Sequence, residues 1–172
     1  MSFKVGDKVV YPNHGVTVVE QVGETSIDGV KSEFYHLRLL ANDSKLMVPV
    51  HNTERVGLRR LYPKKEIKNL LSQLERKENR KARDWKDRYR ENLEKMKSGR
   101  LEDVADVLKN LTQISRRKTL SFREKKMYER AKHLIVSEVA IVRGIDEDSA
   151  ENLIEKSLDK ALGAREKEEK SH

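Results

Sequence analysis

The stretch RRLYPKKEIKNLLSQLE, residues 59–75, is where the character of the chain changes. Before it the pattern is that of strands. Within it Ile67, Leu70, Leu71 and Leu74 fall at i, i+3, i+4 and i+7, the spacing that lines one face of a helix. Pro63 suits the approach to a helix start, where an N–H would have no partner anyway. A helix is predicted over 64–77, with strands before it and helices after it.

Upstream, FKVGDKVVYPNHGVTVVEQV (3–22) carries β-branched runs broken at Gly6-Asp7 and at Pro12-Asn13-His14-Gly15, and turn residues at that interval delimit strands. Asp28-Gly29 marks a tight hairpin, because glycine takes positive φ freely and the flanking VEQV and EFYHLRLL can pair across it. Ala41-Asn42-Asp43-Ser44 supplies a second turn leading into KLMVPV. Four or five short antiparallel strands in under sixty residues are too few for a two-sheet sandwich, so a small SH3-like or Tudor-like barrel is predicted. Pro49 belongs on an edge of it, where the missing N–H breaks no central ladder.

Downstream, ERKENRKAR (75–83) has no apolar stripe and is expected to hold the turn between helices near 78–83. Asp84 can cap the next helix, on which Trp85, Tyr89, Leu93 and Met96 recur about every fourth residue until Ser98-Gly99 ends it. Leu101, Val104, Ala105, Leu108 and Leu111 form the next stripe. Ser121 and Glu124 in LSFRE have capping-box spacing, and Met127, Ala131, Leu134, Ile135 and Val139 describe the longest helix, closed by Arg143-Gly144. A last helix is expected from about Asp148 to Leu162, then a polar, disordered tail, GAREKEEKSH. The predicted class is α+β: a Tudor/SH3-like antiparallel β-barrel over residues 1–62, a compact α-helical domain over 63–162, and a tail over 163–172.

Charge divides the chain the same way. Of its 172 residues 38% are charged, and the net charge is +8. Residues 1–62 hold 8 Lys or Arg against 7 acids, 63–143 hold 24 against 13, and 144–172 hold 5 against 9. The excess therefore lies in the helical middle, which makes that part the nucleic-acid candidate and the nearly neutral strand domain the protein-binding one. The absence of cysteine removes disulfides and thiolate zinc sites and fits a reducing cytoplasm. No signal-peptide core and no run of apolar residues long enough to span a bilayer is present, so no membrane partner is expected.

Catalysis has no support in the motifs: there is no phosphate loop, no GxSxG, no HExxH and no cysteine nucleophile, and neither a cofactor nor a small-molecule substrate is implied. His14, His36 and His51 are spaced 22 and 15 residues apart and match no compact metal motif. Glu102, Asp103 and Asp106 open a helix, where acids are favourable charges near its N-terminus. Trp85, the only tryptophan, permits two readings. It can be the largest residue of the stripe with Tyr89 and Leu93. It can equally be an apolar wedge among Lys86, Arg88 and Arg90, the arrangement with which several proteins pry at a base step. Patterning leaves both readings open.

FKVGDKVVYPNHG at the N-terminus, VGLR at 56–59, DW-x-x-RYRENLEKMKSG at 84–99 and LSFREKKMYERAKHLIVSEVA at 120–140 resemble the CarD/CdnL family of bacterial RNA polymerase-binding transcription regulators. The resemblance spans roughly residues 3–162 and has its motifs in both halves in the family's order. It implies a Tudor-like domain that grips the RNA polymerase β subunit through a strand edge, here Lys45 to Val50, with Met47, Val48 and Pro49 as the contacts. It also implies a helical domain that touches promoter DNA at the upstream edge of the bubble, with Trp85 as the wedge and Arg88, Arg90 and Lys125 as the matching basic contacts, to which the charge pattern around Trp85 adds Lys86 as a DNA-binding candidate. Some relatives carry arginine at the positions of Thr25 and Met47, and Asp87 stands where some are basic. The function so implied is stabilisation of the open promoter complex without sequence-specific readout, by a protein of the cytoplasm. Two other readings remain: a nucleoid- or ribosome-associated protein with a KOW-like N-terminal module, and a fragment of the transcription-repair coupling translocase, whose ATP-driven activity this chain cannot supply without a phosphate loop.

Overall fold

The computed structural model describes residues 2–77 and 84–163. The expected turn near 78–83 and the expected disordered tail, apart from Gly163, lie outside the described residues. Two compact units divide the chain, Met1–Leu61 and Tyr62–His172.

The first unit is one antiparallel sheet. Its strands are β1 (Lys8–Tyr11), β2 (Gly15–Ile27), β3 (Val30–Leu39), β4 (Lys45–Pro49) and β5 (Arg59–Arg60), in the order β4-β3-β2-β1-β5. The hairpin between β2 and β3 turns on Asp28 and Gly29, both at positive φ (51° and 78°), and Ile27 pairs with Val30 across it. Two adjacent positive values are what the right-handed twist of the flanking strands demands of a two-residue turn. Alternation then sends Tyr35, Leu37 and Leu39 of β3 inward. Phe3, Val9, Val19, Tyr35, Leu37, Val48 and Leu58 form the core of this unit. Tyr35 satisfies its buried hydroxyl by accepting from the Phe3 N–H at 3.1 Å. A short helix, α1 (Thr53–Val56), ends at Gly57, whose φ is +86° and whose missing Cβ would stand 3.2 Å from the Pro12 ring. Both constraints favour glycine there.

The second unit is helical: α2 (Lys64–Glu75), α3 (Trp85–Lys97), α4 (Leu101–Ser115), α5 (Phe122–Arg143) and α6 (Glu147–Leu162). The expected α+β order of strands followed by helices is thus the order found. Helix α4 is central, packing against α2, α3, α5 and α6, and it buries Leu101, Val104, Ala105, Val107, Leu108 and Leu111. Its buried Lys109 donates to the carbonyl of Gln73 at 3.0 Å and to that of Arg76, so its charge meets the unpaired carbonyls at the C-terminal end of α2. The stripes read in the sequence supply this core: Ile67, Leu70, Leu71 and Leu74 from α2, Met127, Ala131, Leu134, Ile135 and Val139 from α5, and Ile154 and Leu158 from α6.

Candidate functional site

Strand β4 ends the sheet, so one of its sides is unpaired. Its register against β3 pairs Arg38 with Lys45, His36 with Met47 and Phe34 with Pro49. The Leu39 N–H donates to the Ser44 carbonyl at 2.8 Å. Hydrogen-bonded and non-bonded pairs alternate along an antiparallel ladder, so Leu37–Leu46 and Tyr35–Val48 are the bonded pairs. Lys45, Met47 and Pro49 accordingly turn their backbone groups toward the free edge. Proline fits this parity, since its position asks for no ladder N–H.

The side chains on the edge are not alike. Met47 is 45% exposed, a large apolar group in solvent, and Pro49 is half-buried. Val48, expected as a third contact, is 1% exposed and belongs to the core with Tyr35 and Leu37. The period of two that exposes Met47 and Pro49 forces Val48 inward, and its backbone is spent on Tyr35. Its part is to hold the strand in place. Around the edge the charges are paired: Glu20 takes the Lys45 ammonium and, at 3.3 Å, Arg38 Nε, while Arg38 Nη1 meets Asp43 at 2.9 Å. The Lys45 hydrogen bond, ahead of the other causes, holds the Glu20 carboxyl below its ordinary pKa. The edge is therefore apolar and locally neutral. Thr25 lies elsewhere, half-buried on β2 opposite Ser32.

In the helical unit Trp85 opens α3 and is 51% exposed. The core stripe of that helix runs through Met96, which is buried, with Tyr89 and Leu93 packed partly against it. Lys86 places its ammonium 6.0 Å from the centre of the Trp85 ring. Arg90, Asp87 and Lys125 are all exposed. Asp84 occupies the cap position of α3 but its carboxylate makes no capping bond.

Arg88 is not a free cation. Its Nε and Nη2 donate to the two carboxylate oxygens of Glu124 at 2.9 and 3.1 Å, and Glu124 is buried. Expected as a phosphate contact, it instead forms a two-bond strut that ties the first turn of α3 to the first turn of α5. The capping box at the head of α5 is correspondingly half a box: Ser121 Oγ accepts the Glu124 N–H at 3.2 Å, while the Glu124 carboxylate is engaged by Arg88. Sequence spacing showed the first half and could not show the second, because the partner lies 36 residues away.

The strut brings with it a residue that the sequence reading passed over. Phe122, the first residue of α5, is 73% exposed, with the Lys126 ammonium 4.6 Å from its ring centre. It could have been found, since it stands five residues before Met127 and so falls outside the 3–4 spacing of the α5 stripe. The heads of α3 and α5 thus carry two exposed aromatic rings, Trp85 and Phe122, each with a lysine at its face, and Arg90 and Lys125 exposed nearby in sequence. Such rings can insert between or stack on bases, and the cations can meet phosphates.

The family model described as CarD, C-terminal domain, matches residues 69–155, and the one described as CarD-like/TRCF RID domain matches residues 3–62. A candidate transcription factor of Bacillus subtilis (strain 168), YdeB, is 28% identical over 145 residues, spanning 84% of this chain and 95% of YdeB. Among solved structures, the 72-residue N-terminal domain of Myxococcus xanthus CarD, determined by solution NMR, is 34% identical and covers 34% of this chain and 79% of its own, with a TM-score of 0.31. CdnLNt from Myxococcus xanthus is 43% identical, covering 35% of this chain and 84% of its own, with a TM-score of 0.30.

Proposed function

The chain belongs to the CarD family, both of whose domain models it matches in order, and on that premise we propose that it is a transcription regulator that docks on the β subunit of RNA polymerase and stabilises the open promoter complex. The strand unit docks by adding the free edge of β4 to an edge on polymerase. Backbone groups of Lys45, Met47 and Pro49 supply the pairing, and the Met47 side chain supplies the apolar contact. The helical unit then meets DNA at the upstream edge of the bubble, with Trp85 as the wedge, Phe122 beside it, and Lys86, Arg90 and Lys125 on phosphates. Arg88 acts indirectly, by holding the two helix heads together.

No bond is made or broken in this mechanism. Tethering to polymerase raises the effective concentration of DNA near the helical unit, so modest contacts suffice. A wedge that fits only a disturbed base step binds the open complex better than closed duplex, and that difference is what shifts the equilibrium. The observation that carries the reading is the exposure of Trp85, a large apolar ring left in solvent at a helix start among exposed cations. The test is capture of polymerase by the full chain from a cell extract, with and without nuclease treatment. Retention by the wild type and loss with Met47→Glu supports docking through β4, whereas recovery of nucleic acid without β would favour a nucleoid- or ribosome-associated role.

A further inference from the structure

Beyond the heads of α3 and α5 a groove of about 730 Å³ opens between the end of α4, the α4–α5 connection, the N-terminal half of α5 and the middle of α6. Two cations from different elements line it: Lys118 from the connection and Lys125 from the first turn of α5, with the hydroxyl-bearing Thr119 and Tyr128 between them. The other cations of the groove are occupied. Arg116 holds Asp159 at 2.6 Å and the Gly163 carbonyl at 2.5 Å, and Lys132 holds Glu151 at 2.5 Å and Glu155 at 3.3 Å. Among the described residues Lys118, Lys125 and Glu129 take no charged partner in this groove. The bank formed by the connection and α5 is therefore net positive, and the positive end of the α5 dipole adds to it.

From this arrangement we infer that the groove is a second phosphodiester site, a cradle in which Lys118 and Lys125 flank one stretch of DNA backbone while Thr119 and Tyr128 donate to its oxygens. The inference rests on the DNA reading of the helical unit and deepens it: Lys125 is shared between the wedge and the groove, so the backbone leaving Trp85 continues past Lys125 to Lys118. The partner is nucleic-acid backbone rather than base, because this bank offers cations and hydroxyl donors, and its aromatic ring, Tyr128, is half-buried against the helical core. Glu129 faces the same space and works against the anion, so its removal should strengthen binding where loss of Lys118 weakens it.

The experiment is the salt dependence of binding between the full chain and a short mixed-sequence DNA duplex. Lys118→Ala should flatten the log–log slope by about 0.9 unit, the value for one neutralised phosphate, and Glu129→Gln should tighten binding without flattening it. Lys156→Ala, an exposed lysine on α6 outside the groove, removes the same net charge and should leave the slope unchanged. A slope for Lys118→Ala equal to that of Lys156→Ala overturns the groove. Arg90→Ala separates the two levels. If it flattens the slope while Lys118→Ala does not, the groove alone falls. If neither does, the DNA reading of the helical unit falls with it.

Discussion

Each unit leaves a large apolar side chain in water, Met47 on the strand unit and Trp85 on the helical one, and the surroundings of each decide what it can meet. Met47 lies on a strand edge with unpaired backbone groups and with the neighbouring charges, Glu20, Arg38, Asp43 and Lys45, tied to one another. That setting suits another strand, and hence a protein. Trp85 sits at a helix head where the neighbouring cations Lys86 and Arg90 are exposed, which suits a polyanion with planar bases. The comparison teaches that an exposed hydrophobe is read through its electrostatic surroundings, since neutral and basic settings select different partners.

The largest effect expected is on Arg88, where the two readings of a basic residue part. Arg88→Ala leaves the buried Glu124 carboxylate without its cationic partner and with the Ser121 hydroxyl, 3.4 Å away, as a weaker donor, and removing one member of a buried pair typically costs about 3–5 kcal/mol. Urea unfolding of the helical unit should lose roughly that much stability, while binding to polymerase through β4 persists. An unfolding curve like that of the wild type would return Arg88 to the solvent-facing cations. Next in size is Met47→Glu, which would bury an unpaired charge at the docking edge and cost about 1–3 kcal/mol or more of binding. Its melting temperature should not move, because the side chain is exposed in the free protein. Val48→Ala makes the opposite trade, lowering the stability of the strand unit through a core cavity. If Val48→Ala and Met47→Glu behave alike in both assays, the strand edge is not the interface.

How far the sequence could go depended on whether a property was local. Helix α2 was legible from Pro63 and four spaced apolar residues, and the hairpin from Asp28-Gly29, because these depend on near neighbours. The cap at Ser121 was equally visible. The features that stayed hidden were set by distant partners. Arg88 looks like any surface arginine until Glu124 is brought to it, and Val48 is indistinguishable from Met47 until the register against β3 assigns one to the core and one to the edge. Phe122 was overlooked for the converse reason: it is apolar and lies beside a core stripe without belonging to it. At Trp85 patterning allowed both core and surface, and the observed exposure favours the surface.

A smaller effect concerns acid and the last helix. Asp146 caps α6 by accepting the Ser149 N–H at 2.7 Å, and that bond, followed by one with the Ser149 hydroxyl, lowers its carboxyl pKa. A carboxyl whose folded pKa is depressed stabilises the fold above its unfolded value, about 4, and the contribution is lost as pH falls through the folded pKa. Acid should therefore loosen α6 slightly, and Asp146→Asn, which keeps an acceptor but cannot ionise, should reduce that part of the acid sensitivity. An acid limb unchanged by the substitution would remove the cap from the account.

The division of labour between the units is tested most directly by Trp85→Ala, measured for melting temperature and for the lifetime of the open promoter complex with polymerase bound. An exposed side chain leaves no cavity, so melting should hardly change, and polymerase binding should persist. Losing even about 1.4 kcal/mol of differential binding shifts the open–closed equilibrium tenfold, and the lifetime should shorten accordingly. A lifetime equal to that of the wild type, or a melting loss of the about 3–5 kcal/mol expected of a buried tryptophan, would contradict the account.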